Sequence, residues 1–262
     1  MAFCSIEIPG VSRGGRTRYA DSRPTIRFAA IVASAVVCLW SAPRVNAQAP
    51  GESIASGMEL FLTNSGFGIG GYVRDSVNTR YALTGELRFG SIKDERESAF
   101  FNRLGERSIP GKANYFLVLP IRAGLQRRVF AEQIEDNFRP FVQATAGPVV
   151  GWLYPYFDDC NGNAILEPNA DCDGDGSFEE GEGERRLGRG TAISRGSARL
   201  GFGGSIGVGA YIRYGSQGAR GFRITYSFDY FPSAIRLLEA DVRGPQRFFG
   251  TPSITVFFGH LF

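Results

Sequence analysis

Residues 222–230, FRITYSFDY, place Phe222, Ile224, Tyr226, Phe228 and Tyr230 on one face and Arg223, Thr225, Ser227 and Asp229 on the other. That period of two marks a strand lying between two unlike environments. The pattern recurs from Arg199 to Tyr214, where Leu200, Phe202, Ile206, Val208, Ala210, Ile212 and Tyr214 oppose a face of Arg, Gly and Ser broken by Tyr211. Tyr81, Leu83, Leu87 and Phe89 likewise oppose Arg80, Thr84, Glu86 and Arg88, and Leu117, Leu119, Ile121 and Leu125 oppose Asn114, Arg122, Gln126 and Arg128. Read back from the C-terminus, the pattern predicts strands at about 249–262, 221–233, 196–214, 138–156, 113–130, 79–92, 66–75 and 54–62. Pro120, Pro140 and Pro148 fall inside these strands and each removes a ladder hydrogen bond, which β-bulges are expected to absorb.

A soluble sandwich also alternates, but it turns its apolar face to a core and its polar face to water. Here several runs exceed the roughly five or six residues of an ordinary strand and reach the roughly nine to eleven that cross a bilayer at a tilt. Their polar face is rich in Arg and Gly and has no Lys, since Lys93 and Lys112 both fall in a predicted loop. Guanidinium groups suit a cramped interior, where they can pair with Glu59, Glu86 and Asp229 while Gly leaves them room. The expected inward set is Arg74, Arg80, Glu86, Arg88, Arg122, Arg128, Arg139, Arg199, Arg213, Arg223 and Asp229. The links agree: short ones at 76–78, 131–137 and 215–220 alternate with long ones at 93–112, 157–195 and 233–247, while 63–65 is a short outer loop. The predicted fold is all-β, an eight-stranded antiparallel transmembrane β-barrel.

Ile254, Val256, Phe258 and Phe262, in steps of two or four before a terminal phenylalanine, resemble the closing strand of small bacterial outer-membrane β-barrel proteins of the OmpA or OmpW kind. His260 stands where such strands usually carry an aromatic or apolar residue. The resemblance covers roughly residues 54–262 without the acidic insert. It implies a bacterial outer-membrane location, outer-membrane lipid as surroundings, and a barrel-insertion machinery that reads Phe262.

The first 47 residues read as a signal peptide: Arg13, Arg16, Arg18, Arg23 and Arg27 precede an apolar run from Phe28 to Trp40, followed by Val45-Asn46-Ala47. Residues 48–262 then form the barrel domain. The leader takes six basic and two acidic residues, so the formal charge of +3 becomes about −1, and no basic surface argues for nucleic acid. Trp152, Tyr154, Tyr156 and Phe157 are expected in an interfacial aromatic belt.

Residues 171–182, DCDGDGSFEEGE, have the spacing of a calcium loop and resemble the EF-hand and thrombospondin type 3 or dockerin repeats. Asp171, Asp173 and Asp175 would give carboxylate oxygens, Ser177 its carbonyl, Glu179 a water-mediated contact and Glu182 a bidentate carboxylate, with Gly176 at the sharp turn. Twelve residues earlier Asp159, Asn161 and Asn163 repeat the first, third and fifth positions, with Ile165 to offer a carbonyl and Leu166 at the apolar eighth. That copy lacks the glycine and the closing glutamate, so Asp171 or Asp158 would have to complete it. Cys160 and Cys172 take the second position of each copy, and two neighbouring cysteines in an exported chain imply a disulfide. Residues 158–184 hold ten acids, and Ca2+ is expected to fold this outer loop (158–186) as a staple.

The sequence thus points to a structural or surface-display barrel acting through its loops on a surface partner that the residues do not name. The alternatives are a narrow anion-favouring pore built on the inward arginines, and an envelope enzyme acting on lipids around His260, the only histidine, which has no nucleophile motif beside it.

Overall fold

The computed structural model describes residues 54–101, 107–131, 133–134, 138–160, 162–163, 165–167, 171–172, 183–215 and 218–261. The signal-peptide reading of 1–47 and the terminal Phe262 lie outside them. Among the described residues, ten strands and one short helix follow in chain order: β1 (Ile54–Thr63), β2 (Gly66–Ser76), β3 (Tyr81–Ile92), β4 (Phe100–Phe101), β5 (Arg107–Ser108), β6 (Asn114–Arg128), β7 (Arg139–Pro155), α1 (Arg189–Ser194), β8 (Ser197–Gly215), β9 (Gly218–Ile235) and β10 (Gln246–Leu261). Eight of these strands close a barrel in the order β1-β10-β9-β8-β7-β6-β3-β2, while β4 and β5 pair with each other. Every barrel pair is antiparallel, and the seam closes where β1 meets β10 from Ala55↔Leu261 to Thr63↔Ser253. Closure leaves no open edge, which is what a wall surrounded by hydrocarbon requires.

Outward residues are apolar around the ring: Met58 and Leu60, Phe67 and Ile69, Ile121 and Leu125, Ile206 and Val208, Ile224 and Tyr226, Ile254 and Val256 are all exposed. Inward residues include Glu59, Glu86, Arg88, Arg122, Arg223 and Asp229, all buried. This inverted arrangement, oily outside and ionic inside, identifies a transmembrane barrel.

The wall is uneven. β1, β2 and β3 have 10, 11 and 12 residues, close to the minimum that crosses a bilayer. β6 to β10 have 15, 17, 19, 18 and 16 and stand well above it. One side is therefore low, joined across β1 and β2 only by Asn64 and Ser65, and the other is tall and carries the long loops.

The prolines behave differently from the expectation. No register shift occurs at Pro120, Pro140 or Pro148; the β3–β6 ladder instead passes from Leu87↔Ile121 to Gly90↔Val118, and β6–β7 from Pro120↔Val149 to Ala123↔Ala146. The wall tolerates missing bonds opposite Pro120 and Pro148 because the neighbouring pairs hold the register. The irregularities fall elsewhere, between Tyr211 and Arg213 on β8 and between Gln246 and Phe248 on β10.

Candidate functional site

The barrel interior is layered. In its middle, Glu59 of β1 accepts from Arg88 of β3 at 2.5 Å and from Arg223 of β9 at 2.7 Å. Arg223 also pairs with Glu86 and donates to Gln143 of β7 at 2.8 Å, while Gln143 donates to Glu86 at 2.5 Å. Arg122 of β6 pairs with Asp229 of β9 and donates to Ser227 at 2.9 Å. Three carboxylates thus face three guanidinium groups across the lumen. Gly203 makes room for this belt, since a Cβ there would sit 1.9 Å from Asp229.

Aromatic layers cap the belt at both ends. Toward the short turns, Tyr72, Phe141, Tyr211 and Phe257 form one cluster, with the Arg74 guanidinium 4.9 Å from the Tyr211 ring. Toward the long loops, Phe116, Phe231 and Phe249 pack with Ile92, Val118, Val149, Ile235 and Leu237. The Phe116 and Phe231 rings meet edge to face at 5.0 Å. Two internal cavities, of about 10 and 40 Å³, lie in the polar zone between the caps. That is room for a few waters at most. Of the expected inward set, Glu86, Arg88, Arg122, Arg223 and Asp229 make the central belt, while Arg74 is buried in the cap toward the short turns. Arg80 lies exposed on the β2–β3 turn instead of facing inward, Arg128, Arg139 and Arg199 are half-buried, and the Arg213 side chain is outside what is described.

Above the tall side, three loops, 93–113, 156–196 and 236–245, bind one another into a crown. Lys112 is 2% exposed and donates to Glu97 at 2.5 Å, while its backbone bridges to Leu238. Backbone bonds run from Ala113 N–H to the Leu237 carbonyl and from Glu239 N–H to the Gly111 carbonyl, at 3.0 and 2.8 Å. Asp94 accepts from Arg243 at 2.9 and 3.0 Å and from Gln246, joining the first loop to the third. Burial alone would raise the Asp94 carboxyl, but the Arg96 backbone N–H and the Arg243 and Gln246 side chains hold it below the usual carboxylate range.

The aromatic residues expected in a lipid-interface belt belong to this crown. Trp152 and Phe157 are 3% and 2% exposed. The Trp152 indole donates to the Ile193 carbonyl at 3.2 Å, under α1, and Tyr115 stacks on Tyr154 with centroids 5.2 Å apart. β7 is long enough to carry these rings past the lipid and into the loop base, which is why they are covered.

In the acidic loop, Cys160 and Cys172 are disulfide-bonded, with Cα atoms 5.3 Å apart. Asp159 accepts from the Gly162 N–H and Asn163 from the Ile165 N–H, both at 2.7 Å, and Asn163 donates to Glu167 at 3.0 Å. Leu166, at the apolar eighth position, packs against Ala113, Tyr156 and Phe157, tying the loop to the crown. Asn161, Asp173, Asp175, Ser177, Glu179 and Glu182 lie outside the described residues, and Asp171 is the one expected ligand of the fuller copy inside them. Among the described residues no three acids, histidines or cysteines converge on a common metal position. Glu184, which spacing did not single out, is buried at the loop's base and accepts from the Cys160 and Glu167 N–H groups at 3.1 and 2.9 Å. Glu239 accepts from the Leu166 N–H at 3.4 Å; burial, with Asp241 and Glu184 nearby, keeps its carboxyl above the usual range.

No protein-family model and no curated protein matches the chain. Among solved structures it is similar to Ail, the attachment invasion locus protein of Yersinia pestis, at 12% identity over 81% of this chain and 99% of that one, with a TM-score of 0.35. It is also similar to Neisserial surface protein A at 10% identity, over 82% and 100% of the two chains, with a TM-score of 0.36. The outer membrane protein OprG of Pseudomonas aeruginosa matches at 10% identity over 81% and 96%, with a TM-score of 0.33. By its own geometry the chain is a transmembrane β-barrel, eight antiparallel strands closed around a plugged interior with an apolar face to the lipid and a one-sided crown.

Proposed function

We propose that the protein resides in the bacterial outer membrane and acts through its crown, as a structural or surface-display barrel whose acidic loop is stapled by calcium and meets a partner outside the cell. The observation that carries this reading is the layered lumen: an ion-paired belt between two aromatic caps leaves no continuous aqueous path among the described residues. Functional variety must then come from the loops, which the tall wall supports. The role is non-catalytic.

For calcium, Asp171, Asp173, Asp175, Ser177, Glu179 and Glu182 would hold one ion, with Asp159, Asn161 and Asn163 contributing to a second. The ion supplies a hard positive charge that draws together carboxylates which otherwise repel. The chain's part is to fix the base of the loop, through the disulfide, Leu166 and Glu184. Proteolysis of the folded protein with and without a chelator tests this: cleavage between 158 and 186 should accelerate several-fold on calcium removal. Cleavage at an unchanged rate would remove calcium from the account.

The pore reading predicts the opposite of a plug. In planar bilayers the pure protein should carry no steady current. A steady anion current abolished by Arg122→Gln with Arg223→Gln would overturn the plugged reading.

A further inference from the structure

The ladder between β2 and β3 stops short of the crown. Its last register pair is Ile69↔Phe89, although β2 begins at Gly66 and β3 runs on to Ile92. Continued at the same register, Gly68 would face Gly90 and Phe67 would face Ser91. Above them the strands are tied by the Lys93 N–H, which donates to Ser65 Oγ at 3.0 Å. Both glycines occupy inward positions of the pleat, so the wall has no side chains of its own behind the open ladder. Phe61 of β1 closes it instead: a Cβ on Gly68 would lie 2.2 Å from the Phe61 ring, and one on Gly90 3.2 Å from it. From the lumen side the Arg88 guanidinium lies over the same ring, 5.4 Å from its centroid.

On the lipid side of Phe61 this leaves a recess of about 580 Å³, the size of a small-molecule site. Leu60, Leu62, Phe67, Ile69 and Phe89 form its sides, all of them exposed, and Phe61 with the two glycines forms its floor. Phe67 is 86% exposed, a ring standing on the rim with little protein against it. The polar turn of Asn64 and Ser65 lies directly above, so the recess sits in hydrocarbon just below the headgroups of the crown-side leaflet. In lipid an apolar recess gains an occupant through packing rather than escape from water, and an empty one forfeits contacts along its whole lining. A second barrel is too broad to supply them. The recess reaches through to inward positions of the pleat, so whatever fills it must be slim and flexible.

We infer that the recess binds one acyl chain of a membrane lipid from the crown-side leaflet, with the chain held between Phe67 and Phe89 against Phe61. The lipid-facing belt runs into the recess from both flanks, through Ile254 and Val256 of β10 and Leu117 of β6, so a chain enters without leaving hydrocarbon. Depth separates this chain from those that merely surround the barrel. A tail seated below the outward side chains touches protein on its sides and underneath, and it exchanges more slowly than its neighbours.

The site rests on the barrel being inserted in a membrane, and the experiment keeps the two apart. The full chain is folded into bilayers of phosphatidylethanolamine carrying a photoactivatable acyl chain, and insertion is verified by heat-modifiable migration. After irradiation, adducts mapped by mass spectrometry should concentrate on Leu62, Phe67 and Phe89. Labelling spread evenly over the outward residues of the eight barrel strands overturns the site and leaves the barrel standing. In native mass spectrometry from dodecyl maltoside, the wild type should retain one phosphatidylethanolamine. Ser91→Phe fills the recess from its lining and should lower that retention about fivefold, the loss of roughly ten carbon–carbon contacts. Ile206→Phe, an enlargement on the exposed face of the tall side, should change it little. A folded Ser91→Phe variant that retains the lipid as well as wild type overturns the site. A lipid-free dimer also overturns it, in favour of a contact between copies, and so does displacement of the lipid by equimolar palmitate, in favour of a free fatty acid. If Ser91→Phe does not fold, the labelling pattern of the wild type decides alone.

Discussion

The belt in the lumen and the crown above it use the same chemistry, carboxylates against cations, in opposite settings. Glu59, Glu86 and Asp229 are enclosed by strands on all sides and by aromatic caps above and below. Asp94, Glu97 and Glu184 are also shielded, but by loops, and their partners Arg243, Lys112 and the Cys160 backbone come from segments that can separate. The belt cannot exchange a partner without opening the barrel. The crown can loosen while the barrel stays closed, so the two regions should fail under different stresses.

The strongest way to break the contrast is to strike the belt. Arg223→Met removes the partner shared by Glu59 and Glu86 and leaves buried charge behind, a change that typically costs about 3–5 kcal/mol. Urea titration of the heat-modifiable form should show a much lower midpoint, with the crown lost in the same transition.

Striking the crown should separate the regions. Replacing Cys160 and Cys172 together by Ser releases a twelve-residue closure, worth about 3 kcal/mol in the loop-entropy account. Loop proteolysis should accelerate strongly while the barrel's urea midpoint holds. A midpoint that fell with the loop would mean that crown and barrel are a single unit.

Acid should discriminate more gently. The Asp94 carboxyl is held low in the folded protein, so its contribution is present above the ordinary carboxylate pKa, about 4. It is lost as pH falls through the lowered value. Glu239 works in the opposite sense: its raised carboxyl takes up a proton more readily folded than unfolded, so acidification from neutral first relieves the crown. Limited proteolysis against pH should show loop protection that persists or rises slightly below neutrality and collapses only in strong acid. Asp94→Asn should remove the acid collapse and cost about 1–3 kcal/mol of loop stability at neutral pH.

The smallest expected effect is Trp152→Phe, which deletes the bond to the Ile193 carbonyl at a cost of about 1 kcal/mol. Indole fluorescence offers the matching readout on the wild type, since a tryptophan under α1 should resist quenchers dissolved in the lipid. Ready quenching from the bilayer would return Trp152 to the lipid interface.

The strands were legible because an oily exterior and a polar interior impose a period of two, and 222–230 obeys it without exception. The caps were not, because they sit where that contrast vanishes. Phe116 and Val118 face inward between Tyr115, Leu117 and Leu119, a run apolar on both faces, so alternation cannot say which rings fill the lumen. The crown was hidden for another reason. Lys112 with Glu97, Asp94 with Arg243 and Trp152 with Ile193 join separate segments, and no local spacing encodes such meetings. The disulfide and the apolar anchor Leu166 were readable from repeat positions. Glu184 was one acid among ten, distinguished only by the backbone donors folded around it.

The unequal wall gives the molecule a direction. A nineteen-residue strand such as β8 has a contour of about 60 Å, so at a tilt of about 40° it reaches some 45 Å in height, against a band of about 25 Å. The excess, shared between the two ends of the strand, lets the wall stand proud of the lipid on the β6–β10 side only. Anything that docks there meets a promontory with a sloping flank, and neighbouring molecules sliding in the plane of the membrane can come close under the low shoulder of β1–β3 without touching it.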